Sequence, residues 1–154
     1  MFVEQQIGKR FIGNNVPKVG AEKNRTLYSA LSSCIEEGIV ASSQSIHRGG
    51  LIVALSKTAM GGMLGMDVSL ERLSGSYSRD DFALYSESQG RLVVTVAPQF
   101  KKIFEERMQG NIFSQIGTTI GDDHFIIKNK DGKDIVNTNL NLMLESYKST
   151  FRGY

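Results

Sequence analysis

The stretch from Ile39 to Leu70 constrains the fold of this chain more than any other. It reads IVASSQSIHRGGLIVALSKTAMGGMLGMDVSL. The pattern predicts a strand over Ile39–Ile46, a sharp turn at Gly49-Gly50, a helix from Leu51 to about Met60, a glycine turn and a short strand over Met66–Leu70. The helix is apolar nearly all round, through Leu51, Ile52, Val53, Ala54, Leu55, Ala59 and Met60. Only Ser56, Lys57 and Thr58 give it a wet edge, so it must be largely buried. A strand that runs through two glycines into a helix leaves the first helical N–H groups without partners, at the positive end of the macrodipole. That is a candidate anion cradle, to which His47 and Arg48 add positive charge. The alternative is that the glycines only let a buried helix pack closely on its sheet. Both readings stay open on spacing alone.

The flanking segments fit the same plan. Residues 1–20 lack periodicity and read as a lead-in segment, with residues 21–154 as one domain. Leu27, Ala30, Leu31, Cys34 and Ile35 form one stripe of a helix over Ala21–Glu37, with Gly38 as its stop. After a polar loop over Glu71–Asp81, Asp80-Asp81 opens a short helix through Leu84. The strand Leu92–Val96 follows. Pro98 opens a helix at about Gln99–Gln109 that turns Phe100, Ile103, Phe104 and Met108 inward. The last third predicts strands over Ile112–Gly121, His124–Lys128 and Lys133–Val136, the last two joined at Asp131-Gly132. A final helix runs through Tyr147, capped by Asn139 or Asn141, with Leu140, Met143, Leu144 and Tyr147 facing in. Strands separated by helices and ending in a hairpin indicate an α/β (α+β) fold, a mixed sheet covered by helices.

Several function classes drop out. The net charge of +2, with scattered Lys and Arg, gives no footprint for nucleic acid. The apolar run Leu51–Leu55 is far too short to span a membrane, and no signal peptide is legible, so a cytoplasmic protein is expected. The single Cys34 lies on an apolar helical face and reads as buried structure rather than a catalytic thiol. His124 reads as a strand-edge residue, and Met60, Met63 and Met66 as core filler. No Cys/His/Asp set has metal-ligand spacing, and neither a phosphate loop nor a nucleophile elbow occurs. The remaining polar cluster is Glu87-Ser88-Gln89-Gly90-Arg91, beside a strand entrance. It reads either as a ligand contact or as an internal ion pair and hydrogen-bond set holding the turn.

Two segments, SIHRGGLIVALSKTAMGGMLGMDVSL and ALYSESQGRLVVTV, together resemble the C-terminal half-domain of the synthetase subunit of phosphoribosylformylglycinamidine synthase. GNNVPKV, EEGIVASSQSI and FSQIGTTIGD extend the resemblance over nearly the whole chain. The family shares its architecture with aminoimidazole ribonucleotide synthase, an ATP-binding N-terminal domain followed by an α/β C-terminal one, and the subunit holds this pair twice. The form S-E-S-Q-G-R resembles the second copy.

The resemblance implies a ligase that converts formylglycinamide ribonucleotide to the amidine with ATP, Mg²⁺ and glutamine-derived ammonia. It implies as partners an N-terminal ATP-binding domain, a glutaminase and small accessory subunits. Homo-oligomerisation is left open, and no cofactor is expected on the chain alone. The family's Glu-Ser-Gln triplet contacts the ribonucleotide in the first copy and corresponds here to Glu87, Ser88 and Gln89, followed by Arg91. The second copy ordinarily reads His-Asp-x-Ser-Asp-Gly-Gly-Leu, where this chain has Gln44, Ser45, Ile46, His47, Arg48, Gly49, Gly50 and Leu51. The histidine and both aspartates are gone while the glycines remain, which implies a degenerate, mainly structural half-site. The chain also lacks an Asp-x-x-x-x-Gly-Ala-x-Pro motif, so alone it is expected not to hydrolyse ATP. The expected role is one domain or split piece of that enzyme. The competing expectation is a free-standing, non-catalytic ligand-binding or assembly module on the same fold.

Overall fold

The computed structural model describes residues 18–149 and Arg152. Most of the lead-in segment therefore lies outside the described residues. Helix α1 (Ala21–Glu36) ends where Gly38 takes a φ of +70°. Gly38 N–H donates to Ile35 O and Ile39 N–H to Cys34 O, while Ile39 and Cys34 pack together. This is a Schellman stop with its apolar contact, and it satisfies carbonyls the helix end would otherwise orphan. Strand β1 (Val40–Ile46) leads through the Gly49 turn into α2 (Gly50–Gly62). Strand β2 (Gly65–Ser69) follows, then a 3₁₀ turn at Leu70–Arg72 and the short helix α3 (Asp80–Tyr85). Next come β3 (Arg91–Val96), a 3₁₀ turn at Pro98–Phe100 and α4 (Lys101–Arg107). The chain closes with β4 (Gly117–Ile120), β5 (His124–Lys128), β6 (Asp134–Asn139) and α5 (Leu140–Ser149).

The strands form two sheets. The expected mixed sheet has the order β4-β2-β5-β6, with β2 and β5 parallel and the outer pairings antiparallel. β1 and β3 form a separate antiparallel ribbon, with an extra residue in β1 between Val40 and Ser42. One face of the four-stranded sheet turns Met66, Val68, Phe125 and Ile127 into a core with Leu51, Leu55 and Ala59 of α2 and Leu140 of α5. The ribbon lies between that core and a second one, in which Leu31, Cys34 and Ile39 meet Phe104 and Met108.

Five sequence expectations change. The strand expected over Ile112–Gly121 is only Gly117–Ile120, because β2 has just Gly65–Val68 to offer it before turning at Leu70. Residues 112–116 are instead pinned locally, with Ser69 N–H donating to Ile116 O and the Ser74 hydroxyl to that of Ser114. Tyr147, Ile35 and Ile103 are exposed, not inward: Tyr147 continues the line of Leu140 but sits at the last turn of its helix, while Ile35 and Ile103 each stand one residue to the side of a buried neighbour, Cys34 and Phe104. Met63 is exposed because it carries the left-handed residue that ends α2, at φ +51°, whereas Met66 is buried as expected. The cap of α5 resolves to Asn139, whose Oδ1 accepts the Leu142 N–H at 3.0 Å. At the hairpin, Asn129 Oδ1 accepts from both Asp131 and Lys133 N–H, and Gly132 takes φ +76°.

Candidate functional site

The fold brings the two polar motifs together. Gly49 N–H donates to Glu87 Oε1 at 2.8 Å, across 38 residues of sequence. Gly50 N–H donates to His47 O at 2.9 Å. Two backbone donors of the glycine turn are thus spent inside the chain, one of them on its own carboxylate. An N-terminal carboxylate at a helix start is the favourable sign for the macrodipole, so Glu87 holds the place a bound anion would take.

The glycines themselves are required by conformation and by space. Gly49 and Gly50 have φ of +84° and +72°. A Cβ on Gly50 would lie 2.4 Å from Leu84 O and 2.7 Å from Tyr85 Cα, so α2 begins against the backbone at the end of α3. That close approach explains why no larger residue fits. Leu84 and Tyr85 belong to this constellation, although sequence spacing gave no signal for them.

His47 Nδ1 accepts the Arg48 N–H at 2.8 Å, a local bond that leaves Nε2 outward. Arg48 is exposed and, among the described residues, forms no ion pair. The 86–91 loop is held by Arg91, whose Nε donates to Ser88 O and whose Nη2 donates to Ser86 O. Burial of the guanidinium pulls its pKa below the ordinary arginine value. The hydroxyls of Ser86 and Ser88 share a hydrogen bond of 2.9 Å, and Gln89 Nε2 reaches back to Glu87 O at 3.4 Å. Of the two parts of the internal reading, the hydrogen-bond set is present. The Glu87–Arg91 ion pair is not, because Arg91 faces carbonyls and Glu87 faces the glycine turn. Gly90, at φ +82°, lets this loop close on the Asn24 side chain of α1, 2.4 Å from where a Cβ would stand.

One polar pair was invisible to sequence reasoning. Lys128 Nζ sits 3.0 Å from both Asp67 carboxylate oxygens on the open face of the four-stranded sheet. Register in the parallel β2–β5 pair creates it, and register is not written in either segment alone. Among the described residues no three His, Cys, Asp or Glu side chains come together so as to hold a metal ion. At the glycine turn Glu87 is the lone carboxylate, flanked by His47 and Arg48, and this donor set does not fit Mg²⁺. Cys34 is fully buried, and that burial, with Glu37 adding to it and Arg107 opposing, pushes its thiol pKa up, against a nucleophilic role. No helix among the described residues is long and apolar enough to cross a membrane.

The architecture defines a class: an α+β domain in which a glycine turn before a buried helix meets a polar loop before a strand. The chain belongs to the family of the AIR synthase related protein, C-terminal domain, which it matches over residues 3–130. It is 31% identical over 137 residues to phosphoribosylformylglycinamidine synthase subunit PurL of Methanocaldococcus jannaschii, covering 88% of this chain and 18% of that relative. Its fold is similar to that in the structure of PurLQS from Thermotoga maritima, with a TM-score of 0.70 and 25% identity over 82% of this chain and 22% of that one. It is also similar to T. maritima PurL complexed with FGAR, with a TM-score of 0.68 and 25% identity over 78% of this chain and 20% of that one. The chain thus spans about one-fifth of the length of the relatives it matches.

Proposed function

We propose that this chain serves as the second-copy C-terminal domain, or a split subunit, of a phosphoribosylformylglycinamidine synthase of the PurL type. In this reading residues 1–20 lead into one domain over 21–154. The whole cytoplasmic enzyme carries out the ATP- and glutamine-dependent amidine formation of purine biosynthesis. The N-terminal ATP-binding domain, the glutaminase and the small accessory subunits are its partners, and Mg²⁺ is held elsewhere in the assembly. The chain's own part is structural, with a degenerate nucleotide half-site. The observation that carries this is the glycine turn, whose Gly49 and Gly50 N–H groups are spent on Glu87 and the His47 carbonyl. Family membership and the ATP and FGAR complexes of T. maritima PurL support the assignment to that enzyme class.

Calorimetry with ATP, ADP and formylglycinamide ribonucleotide, with and without an N-terminal partner, tests the reading. The expected result is no binding by the chain alone and binding only in the assembly. Should Glu87→Ala and Gln89→Ala weaken that binding while Arg48→Ala does not, the contacts lie at Glu87, Ser88, Gln89 and Arg91 rather than at His47, Arg48, Gly49 and Gly50. Micromolar binding by the chain alone would overturn the structural role and favour a free-standing ligand-binding module.

A further inference from the structure

β3 differs from every other described edge strand. β4 is four residues long and polar, β6 opens on Asp134 and carries Asn137, and β1 is interrupted by its extra residue and reads Ser42-Ser43-Gln44-Ser45. Short length, charge and bulges are the usual guards of a sheet edge. β3 has none of them from Leu92 to Val96. The one charge at its start, Arg91, is folded back onto the carbonyls of Ser86 and Ser88.

Both faces of β3 are covered. Leu92, Val94 and Val96 pack into the core of α1 and α4, and Val93 packs into the core beneath α2. All six residues nevertheless remain partly exposed. A strand sandwiched on both faces and still open along its length is open at its edge. Beyond its pairing with β1, the backbone of Arg91–Val96 has no hydrogen-bond partner among the described residues. A row of backbone N–H and C=O groups without protein partners along such an edge is a template for pairing with another strand.

We infer that the open edge of β3 accepts a third strand, contributed by another part of a PurL-type polypeptide outside this chain. A strand added at the usual spacing of about 4.8 Å lies between the same helix layers. It is therefore covered on both faces, so its sequence is an uncharged run rich in Val, Ile and Leu rather than an alternating one. The occupant follows from length: the M. jannaschii relative devotes only 18% of itself to the part this chain matches, which leaves the rest of that polypeptide to supply the strand. The inference rests on the proposed function above.

Amide hydrogen exchange on the full 154-residue chain tests it, first alone and then mixed with M. jannaschii PurL from which the matching stretch has been deleted. Alone, the β3 amides that point away from β1 are expected to exchange at least about 100-fold faster than those that face it. In the mixture they slow by about tenfold or more, while those of β4 and β6 stay unchanged. Outward amides already as slow as the inward ones overturn the inference. Sedimentation then tells whether a second copy or the chain's own residues 1–17 cover the edge. A complex that leaves β3 exchange unchanged sinks the strand while sparing the domain assignment, and failure to form any complex sinks both.

Discussion

The four-stranded sheet and the β1–β3 ribbon solve the same burial problem in different ways. The sheet buries one face only, so burial alternates along its strands: Met66, Val68, Phe125 and Ile127 point in, while Asp67 and Lys128 meet on the open face. Its helices α2 and α5 come from segments directly joined to its strands. The ribbon has helices or core on both sides, and α1 and α4, which cover one side, lie more than sixty residues apart in sequence. A two-stranded ribbon is marginal by itself, so its order depends on those helices. The sheet should therefore be the tougher half and the ribbon the half that opens first.

The largest test of this difference lies at Phe125, which is 1% exposed at the centre of the sheet core. Phe125→Ala is expected to cost about 3–5 kcal/mol, read as a shift in the denaturant midpoint. Leu31→Ala in the ribbon core should cost less, about 2–4 kcal/mol. The sharper readout is local: in Leu31→Ala, amide exchange should rise in β1 and β3 while β2 and β5 stay protected. Equal acceleration in all four strands would mean that the two cores unfold as one unit.

Cys34 reports on the ribbon core without any substitution. Its thiol is fully buried and its pKa is raised. A raised folded-state pKa means the native state favours the protonated thiol. That contribution is intact below the unfolded thiol value of about 8.5 and is lost as pH rises towards the folded value. The difference in stability between the parent chain and Cys34→Ala should therefore narrow above about pH 8.5, at no more than about 1.4 kcal/mol per pH unit. A flat difference from pH 7 to 10 would contradict the buried thiol. Alkylation of Cys34 at neutral pH should follow opening of the ribbon, and slow in step with amide exchange in β1.

These contrasts also mark what was legible in the sequence. Elements with their own punctuation were readable: Gly38 ends α1, an asparagine at 139 or 141 caps α5, and Asp131-Gly132 turns the last hairpin. The split into sheet and ribbon was not, because pairing partners are set by register and packing between distant segments. The strand assigned to Ile112–Gly121 failed for the same reason, its apolar residues having no strand opposite them beyond Gly117. At the candidate site, the glycine turn and the Glu87–Arg91 cluster were each visible as unusual polar segments. Their junction was not, since nothing local in either motif states that Glu87 reaches Gly49. The ion pair between Glu87 and Arg91, one of the two readings of that cluster, was a natural inference from neighbouring opposite charges, and the backbone carbonyls of Ser86 and Ser88 outcompeted it.

That junction gives the smallest prediction and the one that ties the two halves together. Glu87 leads into the ribbon strand β3, and Gly49 opens the helix that covers the sheet, so the 2.8 Å bond between them is a cross-link. The carboxylate is exposed, and an exposed hydrogen bond to a charged acceptor contributes little once water competes. Glu87→Ala should cost about 1 kcal/mol, and Glu87→Gln, which keeps an acceptor oxygen, less than about 0.5 kcal/mol. Combining Glu87→Ala with Leu31→Ala decides whether the cross-link couples the cores. Additive costs within about 0.5 kcal/mol mean that sheet and ribbon stand independently, whereas a larger interaction energy means the Gly49–Glu87 contact transmits stability between them.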